Sequence, residues 1–194
     1  MWLDLGSMKN IYLCLTLTLS FSSWAQSRLN IIQLGHPTLR EIARELTLEE
    51  IRSPEIQTLI DDMVYTMKKA SGVGLAAPQV NQSLRLFVMK SGLRVPLTIV
   101  INPKVEYLEE EGQQDSTEGC LSIPGQTVRV KRFKKLRMSY LNRHGVEVFE
   151  EVRGFKAIIS QHEYDHLNGV LITDLVEQLN ASWDPADYAS APLM

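Results

Sequence analysis

"QHEYDHLNG", residues 161–169, sets two histidines four positions apart with a glutamate directly after the first. An α-helix turns about 100° per residue, so His162 and His166 would lie about 40° apart around the axis and about 6 Å along it. Both imidazoles can then aim at one point, and Glu163 can reach a water held there. This is the logic of an HExxH helix, with two metal ligands and a general base on one element. Two histidines on an apolar helix face are also common in ordinary packing, so the helix alone leaves both readings open. Upstream, Phe155, Ile158 and Ile159 share the helical face of the two histidines. That stripe predicts that the histidines point inward. Gly154 leads into the helix, and Gly169 suits its C-terminal cap.

The chain around this helix has 194 residues, a size that fits one domain. It is 44% hydrophobic and 22% charged with a formal net charge of −3, the composition of a soluble globular protein rather than a nucleic-acid binder. Its two cysteines, Cys14 and Cys120, exclude a disulfide scaffold.

The N-terminus differs from the rest. "MKNIYLCLTLTLSFSSWAQS" (8–27) places Lys9 before an apolar run from Ile11 to Leu19, then Ser23-Trp24-Ala25. This is the layout of a secretory signal cleaved after Ala25, with Met8 as its start. The run is too short for a membrane span, which needs about 20 residues. An N-terminal strand is the alternative, because L-T-L-T-L alternates. Used as a signal, residues 1–25 predict export to the periplasm; otherwise the protein stays in the cytoplasm. After cleavage Cys120 would be the sole cysteine.

Ser53 to Gly72 predicts the first long helix. Ser53 is an N-cap, Pro54 suits the first helical position, and Ile56, Leu59, Ile60, Met63, Val64 and Met67 form one apolar face. Gly72 can end it. "HPTLREIA" (36–43) offers a short helix. Strands are expected at 84–90, 97–102, 135–141 and 146–152, the last two joined by a turn at Asn142–Gly145. The fold class is α+β, mostly antiparallel strands around the HExxH helix. "KRFKK" (131–135) reads as a solvated edge, and "EEE" (109–111) as a loop or strand end.

Two further stretches carry chemistry. Cys120 in "EGCLSIPG" (118–125) is a soft ligand for Zn²⁺ or Fe²⁺, with Gly119 permitting close backbone approach. With two histidines it leaves a fourth position open, as in a catalytic metal site. Alone, it reads as a small buried residue. "GVGLAAPQV" (72–80) lets something approach the backbone, and Gln79 adds an amide donor. A tight helix-to-strand turn is the plainer alternative.

Taken together, Gly72-Val73-Gly74-Leu75-Ala76-Ala77-Pro78-Gln79, Glu118-Gly119-Cys120-Leu121-Ser122 and Gln161-His162-Glu163-Tyr164-Asp165-His166-Leu167 resemble the three signature motifs of peptide deformylases, in order and spacing. The resemblance covers about Leu29 to Leu175. It implies a deformylase-like α+β domain over 26–175, and a catalytic Fe²⁺, replaceable by Zn²⁺ or other divalent metals, on Cys120, His162 and His166. It implies removal of the formyl group from N-formylmethionyl peptides, with Glu163 as acid and base and with Gln79 and the Leu121 N–H facing the developing oxyanion. Val73, Phe155, Ile158 and Ile159 become candidates for the methionine pocket, and plain core packing is their alternative. Val73, Gly74 and Gly119 are candidates to pair with the peptide backbone. Glu118, Asp165 and Arg132 are candidates to orient the ligands, and Arg132 reads equally well as a surface charge. A monomer without nucleic acid or membrane span is expected.

Relatives of this kind are usually cytosolic, and some carry a basic C-terminal helix that docks on the ribosome. Here residues 174–194 hold Asp174, Glu177, Asp184 and Asp187 and no Lys or Arg, so the acidic tail (176–194) argues against docking by that route. The competing readings are an HExxH metallopeptidase, against which Cys120 and Gln79 speak, and an inactive formyl-peptide-binding module.

Overall fold

The computed structural model describes residues 26–92 and 95–176. The expected leader (1–25) and nearly all of the acidic tail (177–194) lie outside the described residues. Its elements are α1 (Leu48–Arg52), α2 (Pro54–Lys69), β1 (Gly74–Ala76), β2 (Leu86–Met89), β3 (Thr98–Tyr107), β4 (Gln113–Cys120), β5 (Ile123–Phe133), β6 (Lys135–Leu141), β7 (Glu147–Arg153) and α3 (Gly154–Leu167). A five-stranded antiparallel sheet runs β1-β2-β3-β6-β7, and β4 and β5 form a separate two-stranded ribbon. No helix among the described residues is long and apolar enough to cross a membrane.

Helix α2 begins as its sequence predicts. Ser53 Oγ accepts the Ile56 N–H at 3.3 Å, and Pro54 opens the first turn. Ile60, Met63, Val64 and Met67 are buried. Its end departs from expectation, because Ser71, not Gly72, takes the left-handed backbone (φ 56°), and the Gly72 N–H bonds Met67 O at 2.9 Å. Helix α1 was not expected, although Thr47 and Glu50 form a reciprocal capping box. Pro37–Arg40 is a 3₁₀ turn rather than a longer helix, and Glu109–Glu111 is another.

Strand β2 is the centre of the domain. All four of its side chains are buried, because both faces of the sheet are covered there. Leu86 and Val88 join α2, Leu75 and Ile101 in one core cluster. Phe87 and Met89 join Val100, Leu136, Val152, Ala157, Ile159 and Leu167 in another. Each such side chain contributes roughly 1.5–3 kcal/mol through burial. The sheet thus separates α2 from α3. The turn between β6 and β7 forms as expected, with Asn142 Oδ1 accepting the His144 and Val146 N–H groups.

The ribbon β4–β5 was not foreseen. Its inward residues on β4 are Ser116, Glu118 and Cys120, so polar side chains stand where alternation would show apolar ones. The reading of "KRFKK" as a solvated edge fails at one residue: Lys131 and Lys134 are exposed, but Arg132 is only 4% exposed.

Candidate metal centre and active site

The ribbon brings Cys120 opposite α3. One ligand atom each from Cys120, His162 and His166 lie within 4.8 Å of one another, and Cys120 Sγ is 3.4 Å from His166 Nε2. The two imidazoles meet edge to face, with centroids 5.1 Å apart, as the four-residue helical spacing requires. His166 is 1% exposed.

A buried chain of charges orients this group. Arg132 grips Glu118 with Nε and Nη2 at 2.9 and 2.8 Å, and its Nη1 reaches Asp165 at 2.6 Å. Glu118 in turn accepts from His162 Nδ1 at 2.9 Å, which turns His162 Nε2 towards Cys120. All three orienting candidates therefore act in one network, and Arg132 is not a surface charge. Burial pushes the Glu118 carboxyl up, but Arg132 and His162 outweigh it and hold its pKa at about 2. Burial drives the Arg132 guanidinium down, and its two carboxylates more than reverse this.

Burial also opposes a charge on His162, yet the hydrogen bonds to Cys120 and Glu118 raise its pKa to about 10. The surroundings favour positive charge at this imidazole, carried by a proton or by a metal ion. His166 goes the other way: burial and the positive charge of His162 push its pKa well down, leaving a neutral ring. A sulfur, an imidazole in an anionic setting and a neutral imidazole on one point fit a divalent cation.

Gln79 stands beside this group on the 3₁₀ turn Ala77–Val80, 1% exposed. Its Oε1 accepts the Ala76 N–H at 2.9 Å, so its Nε2 faces Cys120 Sγ (3.5 Å) and Ser122 Oγ (3.3 Å). Ser122 is fully buried, and the sequence reading assigned it no role. Nor did that reading assign a role to Gln161, which exchanges hydrogen bonds with the Phe133 backbone (2.9 and 3.0 Å) and so locks α3 to β5. The signal for both was only a polar residue inside a motif.

Glu163 is 4% exposed. Burial raises its pKa to about 7, aided by Glu118 and opposed first by His162. Its Oε2 is buried without a hydrogen-bond partner among the described residues, as is His166 Nδ1.

In front of these groups opens a cavity of about 500 Å³. Val73, Gly74, Gly119, Leu121, Phe155, Ile158 and Ile159 all line it, together with Gln79, Cys120, His162 and Glu163. The stripe on α3 divides: His166 and Ile159 are buried, and Ile159 also packs in the core. Phe155 is 52% exposed and Ile158 half-buried, because their part of the face opens onto the cavity. Among the described residues strand β1 ends the five-stranded sheet, with β2 on one side only. A Cβ at Gly119 would stand 3.6 Å from Gln126 O on β5, in ordinary van der Waals contact.

The polypeptide deformylase family matches residues 28–182. The chain belongs to the peptide deformylase family. A peptide deformylase of Halothermothrix orenii is 47% identical over 78% of this chain and 95% of its own. One from Fusobacterium nucleatum is 44% identical over 77% and 84%. The peptide deformylase of Thermotoga maritima superimposes with a TM-score of 0.73 at 40% identity, covering 78% of this chain and 99% of its own. A class I type b peptide deformylase of Acinetobacter baumannii, bound to Met-Ala-Ser, gives a TM-score of 0.73 at 32% identity, covering 78% and 100%. As a peptide deformylase, this metallohydrolase removes the formyl group from the N-terminal formylmethionine of peptides and releases formate. The metallopeptidase and inactive-module readings are thereby set aside.

Proposed function

We propose that Cys120, His162 and His166 hold the catalytic metal, natively Fe²⁺, with Zn²⁺ as a functional substitute. The observation that carries this is the convergence of their three ligand atoms within 4.8 Å beside a buried Glu163 oxygen that no group among the described residues hydrogen-bonds. When bound, the ion supplies Lewis acidity that lowers the pKa of a water towards ~7. Glu163, poised at about 7 by burial, takes a proton from the attacking water. The Gln79 amide and the Leu121 N–H donate to the oxygen on which charge develops; one such donor is typically worth about 10²–10³ in rate. Glu163 then delivers its proton to the leaving amine nitrogen.

Val73, Phe155, Ile158 and Ile159 give the cavity an apolar side suited to the methionine side chain. The peptide backbone adds to the free edge of β1 at Val73–Gly74, with Gly119 opposite. Glu163→Gln tests the chemistry. It should keep one metal per chain and lower kcat on formyl-Met-Ala by about 10²–10⁴. Turnover within a few-fold of the parent would overturn the assignment.

The leader read in residues 1–25 supports export to the periplasm. N-terminal sequencing of protein from fractionated cells tests it: a periplasmic form starting at Gln26 is expected, and an uncleaved cytosolic form would refute it.

A further inference from the structure

Gly74 lies within β1, paired with Met89, and its backbone is not left-handed. No turn or positive φ calls for glycine there, and glycine in a strand weakens it. The reason is space. A Cβ at this position would stand 2.1 Å from Glu163 Oε1, 2.7 Å from its Cδ and 3.0 Å from its Cγ. The carboxyl of Glu163 rests directly on the α-carbon of Gly74.

We propose that Gly74 is a positioning residue: the missing Cβ is the seat that sets where the Glu163 carboxyl stands over the cavity. The inference rests on Glu163 being the acid and base. Helix α3 cannot retreat to make room. Its backbone is tied to β5 through Gln161, and His162 is tied to Glu118. The Glu163 side chain can rotate, however, so a Cβ at position 74 would be accommodated by swinging the carboxyl off its seat. The fold would survive, and the reacting geometry would not. A misplacement of about 1 Å in a reacting group can cost about 10² in rate. Gly72, two residues earlier, makes a different contact: its missing Cβ leaves room for a Leu121 methyl at 2.9 Å. The Gly-Val-Gly run thus seats the neighbours of two ligand positions, Leu121 beside Cys120 and Glu163 beside His162.

The test is a double-mutant cycle of Gly74→Ala with Glu163→Asp, whose shorter side chain withdraws the oxygen that would stand 2.1 Å away. Gly74→Ala alone should keep its metal content and melting temperature near the parent's. Its kcat on formyl-Met-Ala should fall about 10²-fold, with a much smaller change in KM. In the Glu163→Asp background the same substitution should cost less than about 5-fold, the non-additivity expected of residues in contact. An equal loss in both backgrounds, or a Gly74→Ala enzyme with parental kcat, overturns the proposal. If Gly74→Ala alone does not fold, folding of the double variant supports the seat and failure of both overturns it. Full activity in Glu163→Gln would instead remove the role of Glu163 itself, whatever position 74 does.

Discussion

Helices α2 and α3 pack on opposite faces of one sheet and are spent on different things. The inward face of α2 is mostly apolar, with Ile60, Met63 and Met67 at 1% exposure or less. Its buried polar groups are used within the fold: Asp62 accepts the Ser27 N–H at 2.7 Å and Thr66 the Leu29 N–H at 2.8 Å, anchoring the N-terminal segment. The buried residues of α3 include Ser160, Gln161, Glu163 and His166. Two of their polar atoms have no hydrogen-bond partner among the described residues. Unpaired buried polar atoms cost free energy. One helix therefore stabilises the domain, and the other draws on that stability to keep reactive groups in place.

Removing a ligand from α3 should separate the two roles most sharply. His166→Ala should lose stoichiometric metal, and formate release should fall to background, while far-UV circular dichroism stays that of the parent. Metal analysis beside the assay checks it, and retained metal would break the contrast.

Arg132→Met comes next, because it leaves Glu118 buried without its cation. The expected loss is about 3–5 kcal/mol in urea unfolding, with weaker metal retention because Glu118, which orients His162, loses the guanidinium that holds it. The same pair predicts an acid limb in the parent. The folded pKa of Glu118, about 2, lies below its ordinary 4.5, so its contribution is complete above about pH 4.5 and is lost as pH falls towards 2. Arg132→Met should flatten that limb; an unchanged pH profile would show that the pair does not stabilise the fold.

On α2, Met63→Ala should cost about 2–5 kcal/mol of stability with kcat per folded molecule unchanged. A loss of kcat at constant stability would show that the sheet does not insulate the two helices. Ser53→Ala should be smallest, about 1 kcal/mol by loss of the cap, read as a small drop in melting temperature.

Legibility in the sequence follows the same division. The face of α2, its Ser53 cap, the buried run of β2 and the pair β6–β7 were all readable, because apolar periodicity and turn residues are local signals. The β4–β5 ribbon was not, since Ser116, Glu118 and Cys120 point inward where the pattern needs apolar residues. The stripe Phe155–Ile158–Ile159 was readable as a face but not as pocket or core, because a cavity wall and a packed core have the same periodicity; all three line the cavity, and Ile159 is also packed in the core.

By itself, the sequence determined which residues share a helix face and which atoms could bind a metal or move a proton, because 3.6-residue spacing and side-chain chemistry are properties of the chain. Only the tertiary structure decided that Arg132 is buried between two carboxylates, that Gln79 turns its amide nitrogen to Cys120, and that Gly74 seats Glu163. Those relations join segments distant in sequence, and they arise only when the ribbon, the edge strand and α3 close around one cavity.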